Sequence, residues 1–438
     1  MQLIGIIISI VLSSLYVFPF EFSFFLGVNT KMMLAVLGLF ILGFKMALGE
    51  PGRINHNFFQ LSLWAIVVSL IAFTAVTVNH TNERAYVTYI VSMWVWLSGA
   101  YAVVNIIKAV HGNISIILIG NYLLAVAVMQ CVFGLLNENV EAFNSFTNRL
   151  VGDMGFQKNL ADLDQAGRIY GIGAALDVAG TRFAAILALS SVVVCKIQNT
   201  KLQKYLLVYL LAFIFVAVIA NMIARTTIVG VAIAIVYWIY ILVRGDNKSQ
   251  IHVKTVLKYL TVTMVICLPI IFYLYKTDAN FYNNLRFGFE GFFSLVEKGQ
   301  WESHSNDILL NMYKLPESLH TWLIGDGYFD NPLSDPYYIG YQWKGFYMGT
   351  DVGYLRFLFY FGIFGLLAFS IYIVKVALVC INEFGTYSDL FILLLLVNFT
   401  VWCKVSTDIF VVFAPFLCLS AAENDEWLAK VEAPAENA

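Results

Sequence analysis

The chain has 438 residues, of which 60% are hydrophobic and only 12% are charged, and its mean hydropathy is +0.77. Soluble domains carry about 25% charged residues, so this chain lacks the polar side chains that would cover a water-soluble fold. Its net charge of −2 also argues against nucleic acid, which requires a concentrated basic surface. We therefore predict a membrane protein with no nucleic-acid partner.

The apolar segments, taken in chain order, predict an all-α polytopic membrane protein. A membrane-spanning helix needs about 20 mostly apolar residues, and about twelve segments approach this length. They fall near residues 2–20, 31–48, 58–78, 86–107, 114–136, 181–197, 205–223, 226–243, 257–275, 351–379, 388–403 and 408–422. The last two are short and are separated by Lys404–Asp408, so eleven spans with a re-entrant turn fit as well.

The positions of Lys and Arg predict which helix ends face the cytoplasm. If the N-terminus is cytoplasmic, most cations of the short loops, such as Lys45, Lys108 and Lys196, fall on the cytoplasmic side, as the positive-inside rule expects. The first segment is then a retained span and not a cleaved signal peptide. The predicted domains are helices 1–9 within 1–275 with an outer loop at 137–180, a large outer loop at 276–349, helices 10–12 within 350–422, and a frayed cytoplasmic tail at 423–438.

Cysteines and histidines give no indication of a cofactor. The six cysteines lie inside or beside apolar segments, and the six histidines are scattered. Neither a disulfide framework nor a metal site is predicted from this distribution.

Arginines at the outer ends of the predicted helices are the candidate ligands of an anionic substrate. An ionised side chain costs about 2.5–3.5 kcal/mol at a membrane-helix centre, so such residues usually face a cavity or a partner. Guanidinium groups bind phosphate oxygens through paired hydrogen bonds. The alternatives are snorkelling to the lipid headgroups or an ion pair that fixes helix packing. The candidates are Arg168, Arg182, Arg225, Arg286 and Arg356, whereas Arg84, beside Glu83 in a short turn, favours the structural interpretation.

Two residues in and after the large loop are candidates for activating a hydroxyl group. Asp351 precedes the tenth predicted span, where it is either an N-cap or first-turn acid that stabilises the helix, or a proton acceptor. His304 lies in the polar run Trp301–Asp307. Either His304 or Glu302 takes a hydroxyl proton there, or His304 is an exposed neighbour of a helix cap.

Three short motifs, in this order along the chain, resemble the bacterial O-antigen polymerase and O-antigen ligase superfamily. They are Ala224-Arg225-Thr226, Ile324-Gly325-Asp326-Gly327, and Asp351-Val352-Gly353-Tyr354-Leu355 leading into Gly362-Ile363-Phe364-Gly365. The resemblance covers most of the chain and implies a polytopic membrane glycosyltransferase, similar in fold to the GT-C class, that uses polyprenyl-diphosphate-linked sugars. Ligases of the superfamily typically have a histidine where this chain has Asp351. The polymerase branch often has Asp there, so the chain resembles that branch.

The resemblance implies a polymerase of lipid-linked polysaccharide repeat units, as in lipopolysaccharide synthesis, in the bacterial cytoplasmic (inner) membrane. It would transfer the growing glycan from undecaprenyl diphosphate to a hydroxyl of the next repeat unit at the outer face. Arg225, Asp351 and His304 are then the catalytic candidates, and no metal or other cofactor is expected. Arg168, Arg182, Arg286 and Arg356 are the candidates for binding the diphosphate or the glycan.

The expected partners are an undecaprenyl-diphosphate-linked oligosaccharide, membrane lipid and a chain-length regulator. Two alternatives stay open. One is a ligase that transfers finished glycan to another acceptor. The other is a flippase or other transporter of lipid-linked oligosaccharides, whose ionisable residues would follow a path through the middle of the membrane.

Overall fold

The computed structural model describes residues 2–49, 56–153, 169–197, 201–336, 338–341, 343 and 345–432. These residues are mostly helical, which confirms the predicted all-α class. The helices are α1 (Gln2–Val17), α2 (Thr30–Ala47), α3 (His56–Val78), α4 (Tyr89–His111), α5 (Ile116–Asn139), α6 (Glu141–Leu150), α7 (Leu176–Lys196), α8 (Leu206–Ile223), α9 (Ile228–Arg244), α10 (Asn247–Thr277), α11 (Ala279–Gly288), α12 (Glu290–Lys298), α13 (His304–Asn311), α14 (Leu319–Leu323), α15 (Gly353–Glu383), α16 (Ser388–Val401), α17 (Phe410–Leu417) and α18 (Ala421–Glu432).

Nine helices in the described ranges have the length and apolar composition needed to cross a membrane, namely α2–α5, α7–α10 and α15. The chain is therefore a polytopic membrane protein. The predicted count of about twelve spans is not reached by these criteria. Helices α1, α16 and α17, with 16, 14 and 8 residues, are shorter than the about 20 residues that cross a bilayer alone.

The described connections between helices lie on two opposite faces of the helix bundle. We call the first of these the loop face. It carries residues 278–352, which we call the long connection. This connection contacts the α3–α4 turn, where Asn79 Nδ2 donates to the Gly325 carbonyl at 2.9 Å. On the second, the terminal face, Lys108 at the end of α4 pairs with Glu423 of α18 at 2.6 Å. Candidate residues can therefore be assigned to one face or the other.

Helix α7 is the most buried of the nine apolar helices. It carries small residues where neighbouring helices cross it, which lets their backbones approach closely. A Cβ on Gly180 would lie 2.8 Å from the Ala224 Cβ, and a Cβ on Gly230 would lie 2.2 Å from the Ala184 carbonyl oxygen. The first of these contacts places the α8–α9 turn against the loop-face end of α7, which carries Arg182.

Helix α15 is interrupted near its loop-face end, and the long connection docks there. Gly362, with φ 66° and ψ −171°, departs from helical geometry. The carbonyl oxygens of Phe359 and Tyr360 instead accept hydrogen bonds from the Asp326 and Gly327 amides, at 2.6 and 3.1 Å. Irregular backbone in a membrane helix requires such protein partners. The motif Ile324-Gly325-Asp326-Gly327 of the long connection therefore has a structural role, because its amides bind the interrupted part of α15.

We expect Gly362→Ala to lower the melting temperature of the purified protein. The backbone conformation of Gly362 is one that essentially only glycine adopts, at a strain of about 1–3 kcal/mol for other residues. The added Cβ would also stand 2.2 Å from the Leu323 carbonyl oxygen. Gly43→Ala in α2, where the new methyl group meets no atom within 4 Å, is the matched control. Equal melting curves for the two variants would contradict the close contact between the long connection and α15 at Gly362.

Residues 402–409, the α16–α17 linker, leave helical geometry between two short helices. At 1.5 Å per residue, α16 and α17 rise only about 21 and 12 Å, against a hydrocarbon core of about 30 Å. Part of the linker therefore lies at membrane depth. Trp402 and Ile409 are buried there, and the Ile409 amide donates to the buried Asn398 side chain at 3.2 Å.

The structure also contains two elements that were not predicted from the sequence. The first is a small antiparallel sheet of order β2-β1-β3, formed by β1 (Glu21–Phe22), β2 (Phe25–Asn29) and β3 (Val151–Asp153), which fixes the start of α2. The second is α18. The expectation of a frayed tail from residue 423 is wrong up to residue 432, because α18 packs Ala421, Trp427 and Leu428 on the core and pairs Glu423 with Lys108.

Candidate anion-binding site on the loop face

Arg182 is a buried cation near the loop-face end of α7. Its side chain is 8% exposed, and its Nε atom has no hydrogen-bond partner. The guanidinium carbon lies 5.9 Å from the Phe18 ring centre and 5.7 Å from that of Trp96. Within the described ranges, it forms no ion pair. Such an arrangement is costly unless an anion compensates it, so Arg182 is the strongest candidate for contact with an anionic ligand.

Lys31 approaches the same indole from another helix. Its Nζ atom lies 4.4 Å from the Trp96 ring centre, and the residue is half-buried in the first turn of α2. The N-terminus of a helix carries a partial positive charge, which repels a lysine and attracts an anion. In the part of the chain that the structure describes, Lys31 forms no ion pair either. Lys31, Arg182 and the α2 N-terminus therefore make one positive region around Trp96.

Asp408, in the α16–α17 linker, is the acid that faces this positive region. Its carboxylate interacts electrostatically with Arg182 and Lys31 but lies beyond ion-pair distance of both. One of its oxygens accepts a hydrogen bond from the Phe410 amide at 2.9 Å. Two cations and one carboxylate leave a formal excess of one positive charge. We call Lys31, Trp96, Arg182 and Asp408 the indole site.

The linker also connects the indole site to the α8–α9 turn. Lys404 Nζ lies 3.3 Å from Asp177 Oδ1 on α7 and 3.4 Å from the Thr226 hydroxyl. The Thr226 hydroxyl in turn donates to Asp177. Thr226 follows Arg225, so the turn that carries the sequence-predicted arginine is fixed to α7 and to the linker.

Arg225 lies on this turn but is engaged by the long connection. Its Nη1 atom is 2.6 Å from Glu290 Oε2 and 3.2 Å from the Ser303 hydroxyl, and its guanidinium carbon stacks 4.1 Å from the Phe287 ring centre. Ser303 immediately precedes His304, the first residue of α13. The structure thus brings the backbone at His304 near Arg225, while the side chain of His304 lies outside the described part of the chain.

Arg356 is held entirely by protein groups. Its nitrogens donate to the Phe329 carbonyl at 3.0 and 3.3 Å, to the Ser406 hydroxyl at 2.7 Å and to Asp330 at 2.9 Å. Its guanidinium carbon lies 3.9 and 3.4 Å from the ring centres of Phe329 and Phe346. These contacts fix the long connection and the linker to α15 and leave little of the guanidinium for a ligand.

We expect Arg356→Met to lower the free energy of unfolding by about 2–3 kcal/mol, because it removes several hydrogen bonds to a charged donor. Asp330→Asn should cost less than about 1 kcal/mol, since the Asp330 side chain is 39% exposed and stays hydrated. Urea or thermal unfolding in detergent measures both changes. Equal losses in the two variants would show that the ion pair, and not the whole contact set of Arg356, provides the stability.

Glu83, on the α3–α4 turn, lies next to Asp330 of the long connection. Burial raises the pKa of Glu83, and the negative charge of Asp330 raises it further. Three amides, those of Arg84, Ala85 and Asp330, donate to its carboxylate and offset part of this shift. Glu83 therefore acts as an anchor between the turn and the long connection.

Arg286 is placed in an exposed ion pair. Two of its nitrogens bind the two carboxylate oxygens of Glu297 at 2.6 and 2.7 Å. These hydrogen bonds raise the pKa of Arg286, with a smaller contribution from the Tyr275 hydroxyl, and they lower the pKa of Glu297. Surface pairs of this kind contribute little to stability. Arg168, the remaining predicted arginine, lies outside the described residues.

Asp351 lies just before α15, but it is not the N-cap residue of this helix. The N-cap residue is Val352, which has no side-chain hydrogen bond to the helix, and α15 begins at Gly353. Asp351 precedes both the N-cap and the first turn, so its interpretation as an N-cap or first-turn acid is wrong. Asp351 is half-buried and interacts electrostatically with Arg356, and its role as a proton acceptor stays a prediction.

Sequence reasoning did not select Lys31, Trp96 and Asp408 as site residues. For Asp408, the signal that could have found it is the polar interruption Lys404–Asp408 between two apolar segments, since ionised residues at membrane depth usually face a cavity or a partner. Comparisons of the chain with protein-family models, with characterised proteins and with solved structures found no match. A functional assignment consequently rests on the residues and their geometry.

Proposed function

We propose that this chain polymerises lipid-linked polysaccharide repeat units at the outer face of a bacterial cytoplasmic membrane. It transfers the growing glycan from undecaprenyl diphosphate to a hydroxyl of the next repeat unit. The proposal includes about twelve membrane passages, both termini in the cytoplasm and the long connection outside. A chain-length regulator is a further expected partner.

One observation carries the proposal, namely the excess positive charge of the indole site. Arg182 and Lys31 are cations without an ion pair in the described ranges, and they share Trp96 at the loop face. A diphosphate bound there would supply the missing anion. The site lies near the loop-face ends of membrane-spanning helices. A phosphate group attached to a lipid would lie at the same level.

The chemistry is a displacement at the anomeric carbon of the donor glycan. The acceptor oxygen forms a bond to that carbon, the bond to the phosphate oxygen breaks, and the hydroxyl proton passes to a base. The leaving diphosphate gains negative charge, which fixed cations stabilise. Two charges 4 Å apart interact by about 4 kcal/mol at an effective dielectric constant near 20, so even one cation changes the rate substantially.

The residues divide into two roles. Arg182, Lys31 and Arg225 are the proposed cations for the diphosphate, with Arg168, Arg286 and Arg356 kept as weaker candidates for the diphosphate or glycan. Asp351, His304 or Asp408 accepts the hydroxyl proton. Asp408 interacts electrostatically with Arg182 and Lys31, the two cations of the indole site.

A single reconstitution separates the three possible activities. Purified protein in vesicles receives a synthetic, fluorescent repeat unit on undecaprenyl diphosphate. Longer lipid-linked products support the polymerase. Transfer to an added second acceptor indicates the ligase, and unchanged glycan that exchanges between leaflets indicates the flippase; either result would reject the polymerase assignment.

A further inference from the structure

A cavity of about 670 Å³ opens on the terminal face, remote from the indole site. It lies between α2, the start of α3, α4, the end of α15 and the α17–α18 junction. This volume falls within the range of about 300–1,000 Å³ that is typical of ligand sites. Leu39 and Trp94, two apolar residues of its wall, are 56% and 37% exposed, so protein does not close the cavity on all sides.

The wall changes from apolar to polar along α4. The residues of α4 that line it follow one helical stripe, with spacings of three or four residues. Its deep part holds Trp94 and Leu97, and the part nearest the terminal face holds Asn105 and Lys108. Helix α2 repeats this order, with Leu39 and Leu42 deep and Lys45 near the end of the helix. A lipid whose headgroup lies at this face has the same gradient.

The polar end of the cavity carries the ammonium group of Lys45. Lys45 Nζ donates to Asn105 Oδ1 at 2.5 Å and lies 6.0 Å from the Tyr101 ring centre, but no carboxylate of the described ranges lies within ion-pair distance. Lys108 differs from it, because it is already paired with Glu423 at 2.6 Å. Lys45 is therefore the cation available to a phosphate group.

The same end of the cavity also carries the carboxylate of Glu383. Glu383, at the end of α15, accepts a hydrogen bond from the Ala421 amide at 2.9 Å. It forms no ion pair within the part of the chain that is described, and in particular none with Lys45. A ligand that carries both a phosphate and an ammonium group would pair with both residues.

We infer that this cavity binds a phospholipid with a primary-amine headgroup, of the phosphatidylethanolamine type. Its phosphate pairs with Lys45, its ammonium group pairs with Glu383, and the first methylenes of an acyl chain lie on Leu39, Leu42 and Leu97. This inference does not depend on the proposed polymerase activity.

Lipid retention tests it directly. The full chain is placed in nanodiscs that contain equal amounts of phosphatidylethanolamine and phosphatidylglycerol, and retained lipid is counted by native mass spectrometry. The wild-type protein should keep one phosphatidylethanolamine. Lys45→Gln should reduce its retention about tenfold, as expected for loss of one charge-assisted hydrogen bond. Glu383→Gln should remove the preference over phosphatidylglycerol.

Two further variants keep the result interpretable. Lys204→Gln removes an exposed lysine of the same face that does not line the cavity, and it should leave retention unchanged. Leu42→Trp fills the cavity and should abolish retention with both charges intact; if it fails to fold, the two charge variants still decide. Equal retention in Lys45→Gln, Lys204→Gln and wild type would overturn the inference. Displacement of the lipid by soluble phosphoethanolamine would show that the headgroup alone is the ligand, which would reject the acyl contacts.

Discussion

Replacing Arg182 with methionine should lower polymerisation about 10²–10³-fold, the usual loss for one charge-stabilising donor, while thermal stability stays equal or rises. Arg182 is 8% exposed and has no ion pair in the described ranges. Removing an uncompensated buried charge relieves a desolvation cost, and methionine keeps most of the side-chain volume. Product length from the lipid-linked substrate and the melting temperature measure the two effects separately.

The control for this prediction is Arg84→Met, which removes an exposed arginine of the same face. It should leave both product length and melting temperature near the wild-type values. If Arg182→Met instead kept normal chain length and melted at a lower temperature, Arg182 would be a structural cation. The indole site would then lose its proposed role.

The sequence predicts the helices well because their physical cause is local. A run of apolar residues must be helical in a membrane, since no water satisfies its backbone. The tight turn at Ala224–Arg225 is an example, with α8 ending at Ile223 and α9 beginning at Ile228. The same local logic fails inside α15, where the apolar run continues through Gly362 and hides the interruption.

The site is less predictable because it depends on which helices meet. Lys31, Arg182 and Asp408 come from three distant parts of the chain, and only the packing around Trp96 brings them together. Charge at membrane depth identified Arg182 as unusual. It did not identify that Arg356 would donate to three protein acceptors, or that Arg225 would pair with Glu290.

The pairing of Arg225 with Glu290 sharpens the test of its predicted catalytic role. Arg225→Ala should lower polymerisation about 10²–10³-fold if the guanidinium stabilises the leaving diphosphate. In that case Glu290 competes with the substrate for Arg225, so Glu290→Gln should keep the activity or raise it. The Arg225 and Glu290 side chains keep 19% and 34% of their surface exposed, so a substrate phosphate has access to the pair.

A structural role for Arg225 predicts the opposite pattern. The pair would then hold α12 and Ser303 against the α8–α9 turn, and removing either partner would loosen the same contact. Glu290→Gln and Arg225→Ala would lower the melting temperature and the activity together, and the double variant would be no worse than either single one. A double-mutant cycle with activity and melting temperature as parallel measurements therefore separates a catalytic arginine from one that only positions the long connection.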